Sequence, residues 1–250
     1  MTDIISVRLL VKQFGPKVVL RQMDFSVGQG EFVALLGPNG AGKTTFLRIL
    51  SSLSRPTLGM VQIGGYQLPQ QAAHVRRRLG VVSHLPLLYG DLSAEENLRF
   101  YGLMYAINSL DRRIGEVLDI VGLAARRKDL VRTYSRGMQQ RLAIGRAILH
   151  DPELLLLDEP HTGLDQDACD MLDAVLGQVA TRGRTVVMTS HDLARAEDLA
   201  SRFDVLARGK VVASAQRSDL ERDGLLAFYR QSLENSSNVN DARNAKVQNQ

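Results

Sequence analysis

One stretch constrains this chain more than any other: Gly37-Pro38-Asn39-Gly40-Ala41-Gly42-Lys43-Thr44-Thr45. It fits the spacing G-x-x-x-x-G-K-[ST] of a phosphate-binding loop. The context also fits. Glu31-Phe32-Val33-Ala34-Leu35-Leu36 is an apolar run that stops at Gly37 and suits a buried strand. Thr44 to Leu53 then reads as a helix closed by Ser54-Arg55-Pro56. The glycines let consecutive backbone N–H groups turn inward on a phosphate, and the helix N-terminus adds partial positive charge. Lys43 is the cation for β- and γ-phosphates, and the Thr44 hydroxyl is a ligand for Mg²⁺.

A second constellation stands far along the chain. Leu154 to Leu157 is a four-leucine run, suited to a strand buried on both faces, and it ends in Asp158-Glu159-Pro160. Carboxylates at the end of such a strand belong at the mouth of a phosphate loop, where open α/β sheets bind ligands. Asp158 can hold Mg²⁺ through water, and Glu159 can polarise an attacking water. Together the two motifs imply nucleotide hydrolysis.

Between and around them the pattern is α/β. Ile4 to Val11 and Val18 to Val27 read as strands split by Phe14-Gly15-Pro16, and Val61-Gln62-Ile63 as a brief strand. Ser93 with Glu96 three residues on forms a capping box, opening a helix to about Tyr105. Ile114, Val117, Leu118 and Val121 place another helix over Asp111 to Val121, and a third covers Met138 to Leu149. Thr185 to Thr189 is a further strand, and alternation of strands with helices predicts a parallel sheet.

Composition removes other classes. The 250 residues are 44% hydrophobic and 23% charged, which is ordinary for a folded chain. No apolar run approaches the roughly 18 residues of a spanning helix, and Met1-Thr2-Asp3-Ile4 does not open a signal peptide, so a cytoplasmic protein is expected. The net charge is only +4 and its carriers are scattered, apart from Arg76-Arg77-Arg78; with no Trp to stack bases, no nucleic acid is expected as a partner. The single cysteine, Cys169, reads as a packed residue, and His74, His150 and His161 lack partners at metal spacing.

Tyr134-Ser135-Arg136-Gly137-Met138-Gln139-Gln140-Arg141, shortly before the leucine run, resembles the signature loop of the ATP-binding-cassette (ABC) ATPases. Gly163-Leu164-Asp165 resembles their D-loop, Ser190-His191-Asp192 their switch histidine, and Phe14 stands where an aromatic stacks on adenine. The resemblance covers about residues 4 to 230. It implies a phosphate-loop ATPase core with an N-terminal antiparallel β subdomain and a helical insertion. That is a single domain over 1–235, with its core in 1–83 and 139–235 and the helical signature subdomain over 84–138. A disordered polar tail follows over 236–250.

It further implies a head-to-tail dimer, most simply a homodimer, that sandwiches two ATP with Mg²⁺. Ser135, Arg136, Gly137, Met138, Gln139 and Asp165 would act across the dimer, Ser135 and Gly137 on the partner's γ-phosphate. Glu159 would be the catalytic base, with His191 and Lys43 beside it. Four residues depart from the family pattern. His84 stands where a glutamine usually meets Mg²⁺ and water; Arg136 and Met138 replace a glycine and a glutamine; Phe14 replaces a tyrosine, and the ring is kept.

In such transporters a separate integral membrane permease selects the cargo, and the insertion from His84 to Arg136 docks it. The ATPase would then sit peripherally on the cytoplasmic face of the cell membrane. The wording of Ser83 to Tyr89 and of Tyr134 to Met138 resembles exporter ATPases, and within them the haem exporter of cytochrome c maturation. A drug, lipid or polysaccharide exporter is the alternative, and a soluble ABC ATPase a more distant one.

Overall fold

The computed structural model describes residues 3–83, 85–181, 183–221 and 224–247. The first part comprises β1 (Asp3–Phe14), β2 (Lys17–Gly28), β3 (Phe32–Leu36), α1 (Lys43–Leu50), β4 (Leu58–Ile63), β5 (Tyr66–Leu68), α2 (Ala72–Arg77) and β6 (Leu79–Val82). The helices α3 (Ala94–Met104), α4 (Leu110–Ile120) and α5 (Arg136–Ile148) follow. The chain then alternates through β7 (Leu154–Asp158), α6 (Gln166–Ala180), β8 (Thr185–Ser190), α7 (Leu193–Leu199), β9 (Arg202–Ala207), β10 (Lys210–Gln216) and α8 (Gly224–Val247).

Strand periodicity explains the layering. On β7, Leu154 and Leu156 face one way and Leu155 and Leu157 the other, and all four are buried. Val33 and Leu35 of β3 join the first pair, while Ala34 and Leu36 join the second. The first core lies beneath an antiparallel sheet of order β2-β1-β4-β5 and includes Phe46, Ile49 and Leu50 of α1. The second takes Leu98, Ile114, Leu142 and Leu172 from α3, α4, α5 and α6. The shared sheet has the order β10-β9-β3-β8-β7-β6, parallel from β9 to β6, with β10 antiparallel at its edge. This is the α/β fold with a β subdomain and a helical insertion that the sequence predicts.

Register sets up the site. Leu36 pairs with Ser190, and Asp158 with Thr189, so β3, β7 and β8 end together. Gly37, Glu159 and His191 therefore leave the same sheet edge. The insertion is pinned beside it by the capping box, in which the Ser93 N–H donates to Glu96 Oε2 (2.8 Å) and the Glu96 N–H to Ser93 Oγ (3.2 Å). Fully buried Asn97 then ties down the approach to α3: its Nδ2 donates to the carbonyls of Tyr89 and Ser93 (both 2.9 Å), and its Oδ1 accepts from the Tyr89 N–H (2.8 Å).

Two elements depart from expectation. Ser135 Oγ accepts the Met138 N–H at 3.2 Å, so α5 starts at Arg136 and the 138/139 boundary falls inside a helix. The stretch expected to be a disordered tail from 236 continues α8 as far as Val247; no glycine or proline follows Gly224 to stop it, and buried Leu225 and Ser232 anchor its first turns. Residues 248–250 of that expectation lie outside the described residues.

His150 joins the insertion to the sheet: its ring stacks on Tyr105 with centroids 3.9 Å apart, and Nε2 bonds the Leu79 carbonyl at 3.0 Å. Burial pushes its pKa down to about 4, against a smaller opposing pull from the Leu79 carbonyl. The unfolded chain takes up this proton near pH 6.5 while the folded chain refuses it until about pH 4. Its contribution is therefore complete above pH 6.5 and is lost as the pH falls towards 4. Urea unfolding across that window should show a steeper loss of stability in the wild type than in His150→Gln.

Candidate active site

The phosphate loop bounds a cleft of about 1650 Å³, lined by Pro38 to Thr45, by Lys17, Val19 and Arg21 of β2, by the Arg208-Gly209 turn and Lys210, and by one side of α8 from Phe228 to Ser236. Lys17, Arg21, Lys43, Arg208 and Lys210 face Glu159, the one carboxylate among the described lining residues, so the cleft suits a polyanion. Gly37 has to be glycine: its φ is 154°, and a Cβ would lie 2.2 Å from the Leu206 carbonyl oxygen of β9. Gly42 stands at φ 112° and α1 begins immediately after it, which directs the helix N-terminus into the cleft.

Buried Lys43 donates to the Gly37 carbonyl at 2.7 Å and sits 3.4 Å from Glu159 Oε1. Asp158 Oδ1 accepts from Thr44 Oγ1 (3.2 Å) and Thr189 Oγ1 (2.8 Å). The paired oxygens of Thr44 and Asp158 are hard donors of the kind Mg²⁺ accepts, and Mg²⁺ usually takes only one or two protein ligands beside substrate phosphates. The donor set therefore fits that ion.

Glu159 leaves β7 in a left-handed conformation (φ 49°), held by its N–H donating to the Thr189 hydroxyl at 2.9 Å. Its Oε2 is 2.5 Å from His191 Nδ1 and accepts from Thr162 Oγ1 at 3.2 Å. Burial pushes this carboxyl up, but the hydrogen bond and charge of His191, with Lys43 and Thr162, outweigh it and hold the pKa below the usual carboxylate value. Glu159 is thus an ionised acceptor at neutral pH. His191 Nδ1 donates to this carboxylate, and Nε2 of the exposed ring is its free face.

The signature residues form a separate group. Ser135 caps α5, Gln139 Nε2 donates to the Tyr134 carbonyl (3.1 Å), and Asp165 caps α6 through the Ala168 N–H (2.8 Å). Arg136 lays its guanidinium over Gly163, while Gly137 packs on Ala168, where a Cβ would approach to 2.6 Å. None of Ser135, Arg136, Gly137, Met138 and Gln139 lines the phosphate cleft; Arg136 and Gln139 border a pocket of about 90 Å³ whose other wall includes Glu159 and Thr162. Phe14 stands exposed beside the Gly15-Pro16 turn, with Lys12 Nζ 4.6 Å from its ring centroid, and is not among the residues lining the cleft. The expectation for His84 lies outside the described residues. Sequence reasoning missed the Arg208-Gly209 turn and α8, although both left signals: a two-residue turn ending in glycine between apolar runs, and apolar positions at Leu225, Phe228, Tyr229 and Leu233.

The profile of the family described as "ABC transporter" matches residues 20–162. The linearmycin resistance ATP-binding protein of Bacillus subtilis (strain 168) is 37% identical over 84% of this chain and 68% of its own length. A fluoroquinolones export ATP-binding protein of Mycobacterium tuberculosis is 38% identical over 88% of this chain and 73% of its own length. A Nod factor export ATP-binding protein of Cupriavidus pinatubonensis is 38% identical over 88% and 68%. The solved ATP-binding subunit of an ABC transporter superposes with a TM-score of 0.82, at 31% identity over 92% of this chain and 99% of that one. A dimeric cassette in a post-hydrolysis state with ADP and Pi superposes with 0.76, at 27% identity over 85% and 98%. Fold and site thus define a nucleotide-hydrolysing cassette. The chain belongs to the ABC transporter family as an ATP-binding subunit, and it is an ATPase.

Gly137→Ala should wedge α5 from α6 and cost about 1–3 kcal/mol in denaturant unfolding, with nucleotide affinity at the same chain's phosphate loop unchanged.

Proposed function

We propose that the chain hydrolyses ATP as a homodimer and drives a separate membrane permease that exports a drug or a lipid- or polysaccharide-type cargo. The observation that carries the dimer is the separation of the signature group from the cleft on the same chain. On this reading Ser135 and Gly137, which do not line the cleft of their own chain, meet the γ-phosphate held by a second copy, a two-fold arrangement of the usual closed kind. The dimeric cassette among the structural relatives supports this reading.

On this reading Lys43 binds the β- and γ-phosphates, and Thr44 and Asp158 hold Mg²⁺, which when bound neutralises phosphate charge. Glu159 takes the proton of the attacking water, and His191 orients Glu159 through Nδ1 while presenting Nε2 to the γ-phosphate. Asn39 to Gly42 and Thr45 complete the cradle, and Phe14, paired across its turn with cleft-lining Lys17, stacks on the adenine.

No helix among the described residues is long and apolar enough to cross a membrane. The export reading therefore calls for a separate spanning subunit and a peripheral place on the cytoplasmic face of the membrane. The insertion exposes Leu85, Leu87, Tyr89, Phe100, Leu103 and Met104, an apolar surface suited to a permease helix. The relatives named for linearmycin resistance, fluoroquinolone export and Nod factor export favour such cargo over haem.

Glu159→Gln should bind ATP, dimerise by light scattering and lose at least about 100-fold in kcat; turnover at the wild-type rate would remove Glu159 from the mechanism. Mild solubilisation of membranes holding the tagged chain should recover a multi-span partner at matching stoichiometry. Recovery from cytosol alone, still active, would defeat the export reading.

A further inference from the structure

Beneath the cleft lies an ionic cluster that the phosphate chemistry does not use. His161 follows Glu159 by two residues, and its side chain is only 8% exposed. Its Nε2 is 2.6 Å from Asp173 Oδ1 on α6. The other oxygen of Asp173 accepts from Arg195 Nη1 on α7 at 2.5 Å. Arg195, 12% exposed, also reaches Asp170 at 3.2 Å, and its Nε lies 3.6 Å from Asp192 Oδ2. Asp192 caps α7 by accepting the Arg195 N–H at 3.3 Å, and it directly follows His191.

This chain of contacts begins two residues after Glu159 and ends one residue after His191. Those are the two side chains that meet at 2.5 Å over the cleft. The sheet brings both residues to one edge, and because β7 ends at Asp158 and β8 at Ser190, both stand on the loop backbone just beyond it. The Glu159 N–H is tied to β8 through Thr189, and Asp192, just after His191, exchanges hydrogen bonds with Ser190 Oγ at the end of the same strand. The cluster adds a further join between the two loops, made through α6 and away from the strand ends.

This join bears on the orientation of one loop relative to the other. Asp173 accepts from a donor on each side, so α6 becomes a fixed post between the two loops. The Asp173 carboxylate also keeps the His161 proton on Nε2. Nδ1 of His161 is buried without a hydrogen-bond partner, so the ring's orientation depends on the Asp173 contact.

We propose that His161, Asp173 and Arg195 are positioning residues that hold Glu159 and His191 in register for hydrolysis, an inference that rests on the assignment of Glu159 as the base. The relay acts on turnover and leaves nucleotide binding alone, because none of the three residues lines the cleft.

The test uses the full chain, with ATPase kinetics, affinity for a fluorescent ATP analogue, and melting temperature measured in parallel. His161→Leu and Asp173→Asn should lower kcat about 10–100-fold, as small misplacement of reacting groups does, with affinity changed by less than about twofold. His161→Gln, which keeps an N–H donor near Nε2, should recover kcat to within about threefold of wild type. Arg195→Lys supplies a second variant should Asp173→Asn fail to fold. Folded variants with wild-type kcat and only a lower melting temperature would reduce the cluster to a structural brace and overturn the inference. A raised KM at constant kcat would overturn it equally. Glu159→Gln, run alongside, separates the two readings: wild-type turnover there sinks the base assignment, whereas an inactive Glu159→Gln beside a fully active Asp173→Asn sinks the relay alone.

Discussion

Three parts of the site meet on one oxygen. Asp158 Oδ1 accepts the hydroxyls of Thr44, from the first turn of α1, and of Thr189, near the end of β8. Asp158 is only 8% exposed, so those bonds stand in a weakly screened environment. They bring the phosphate loop, the leucine strand and the histidine strand to a common height at the sheet edge. Lys43, Glu159 and His191, each adjacent or nearly so to one of these three residues, leave the sheet from that common edge.

The parts of this arrangement written in local sequence were legible. The phosphate loop carries its own spacing, and the leucine run followed by two carboxylates shows both its burial and its end. The capping box at Ser93 announced α3 and formed as read. What local pattern could not reveal depends on distant partners. His161 has no ligand-like neighbour in sequence, because its partner Asp173 sits twelve positions on across a loop-to-helix turn and Arg195 comes from another helix. The edge hairpin of β9 and β10 is short and half polar, and α8 takes its helical face from contacts with β9, β10 and α7.

The site also divides its labour between two surfaces. The cleft gathers positive charge and the ionised Glu159, while the signature group spends its hydrogen bonds on capping α5 and α6. Gly137 allows α5 to sit directly on Ala168, and the Arg136 guanidinium covers Gly163. The Arg136 side chain, standing where the family resemblance expects a glycine, thus finds room without displacing Ser135 or Gly137 from the helix start. The departure from the family pattern is absorbed sideways, into the D-loop.

The position of β3 has a consequence for how the chain is made. This strand, which ends in the phosphate loop, is flanked by β8 on one side and β9 on the other. Its first residues leave the ribosome early, yet its neighbours span Thr185–Ser190 and Arg202–Ala207. Such pairings close long loops and form late. A nascent chain therefore carries its phosphate loop for most of synthesis without the strands that support it. Nucleotide can act as a ligand for folding only once nearly the whole domain has emerged, so the ATPase cannot begin to work before the elements that control it exist.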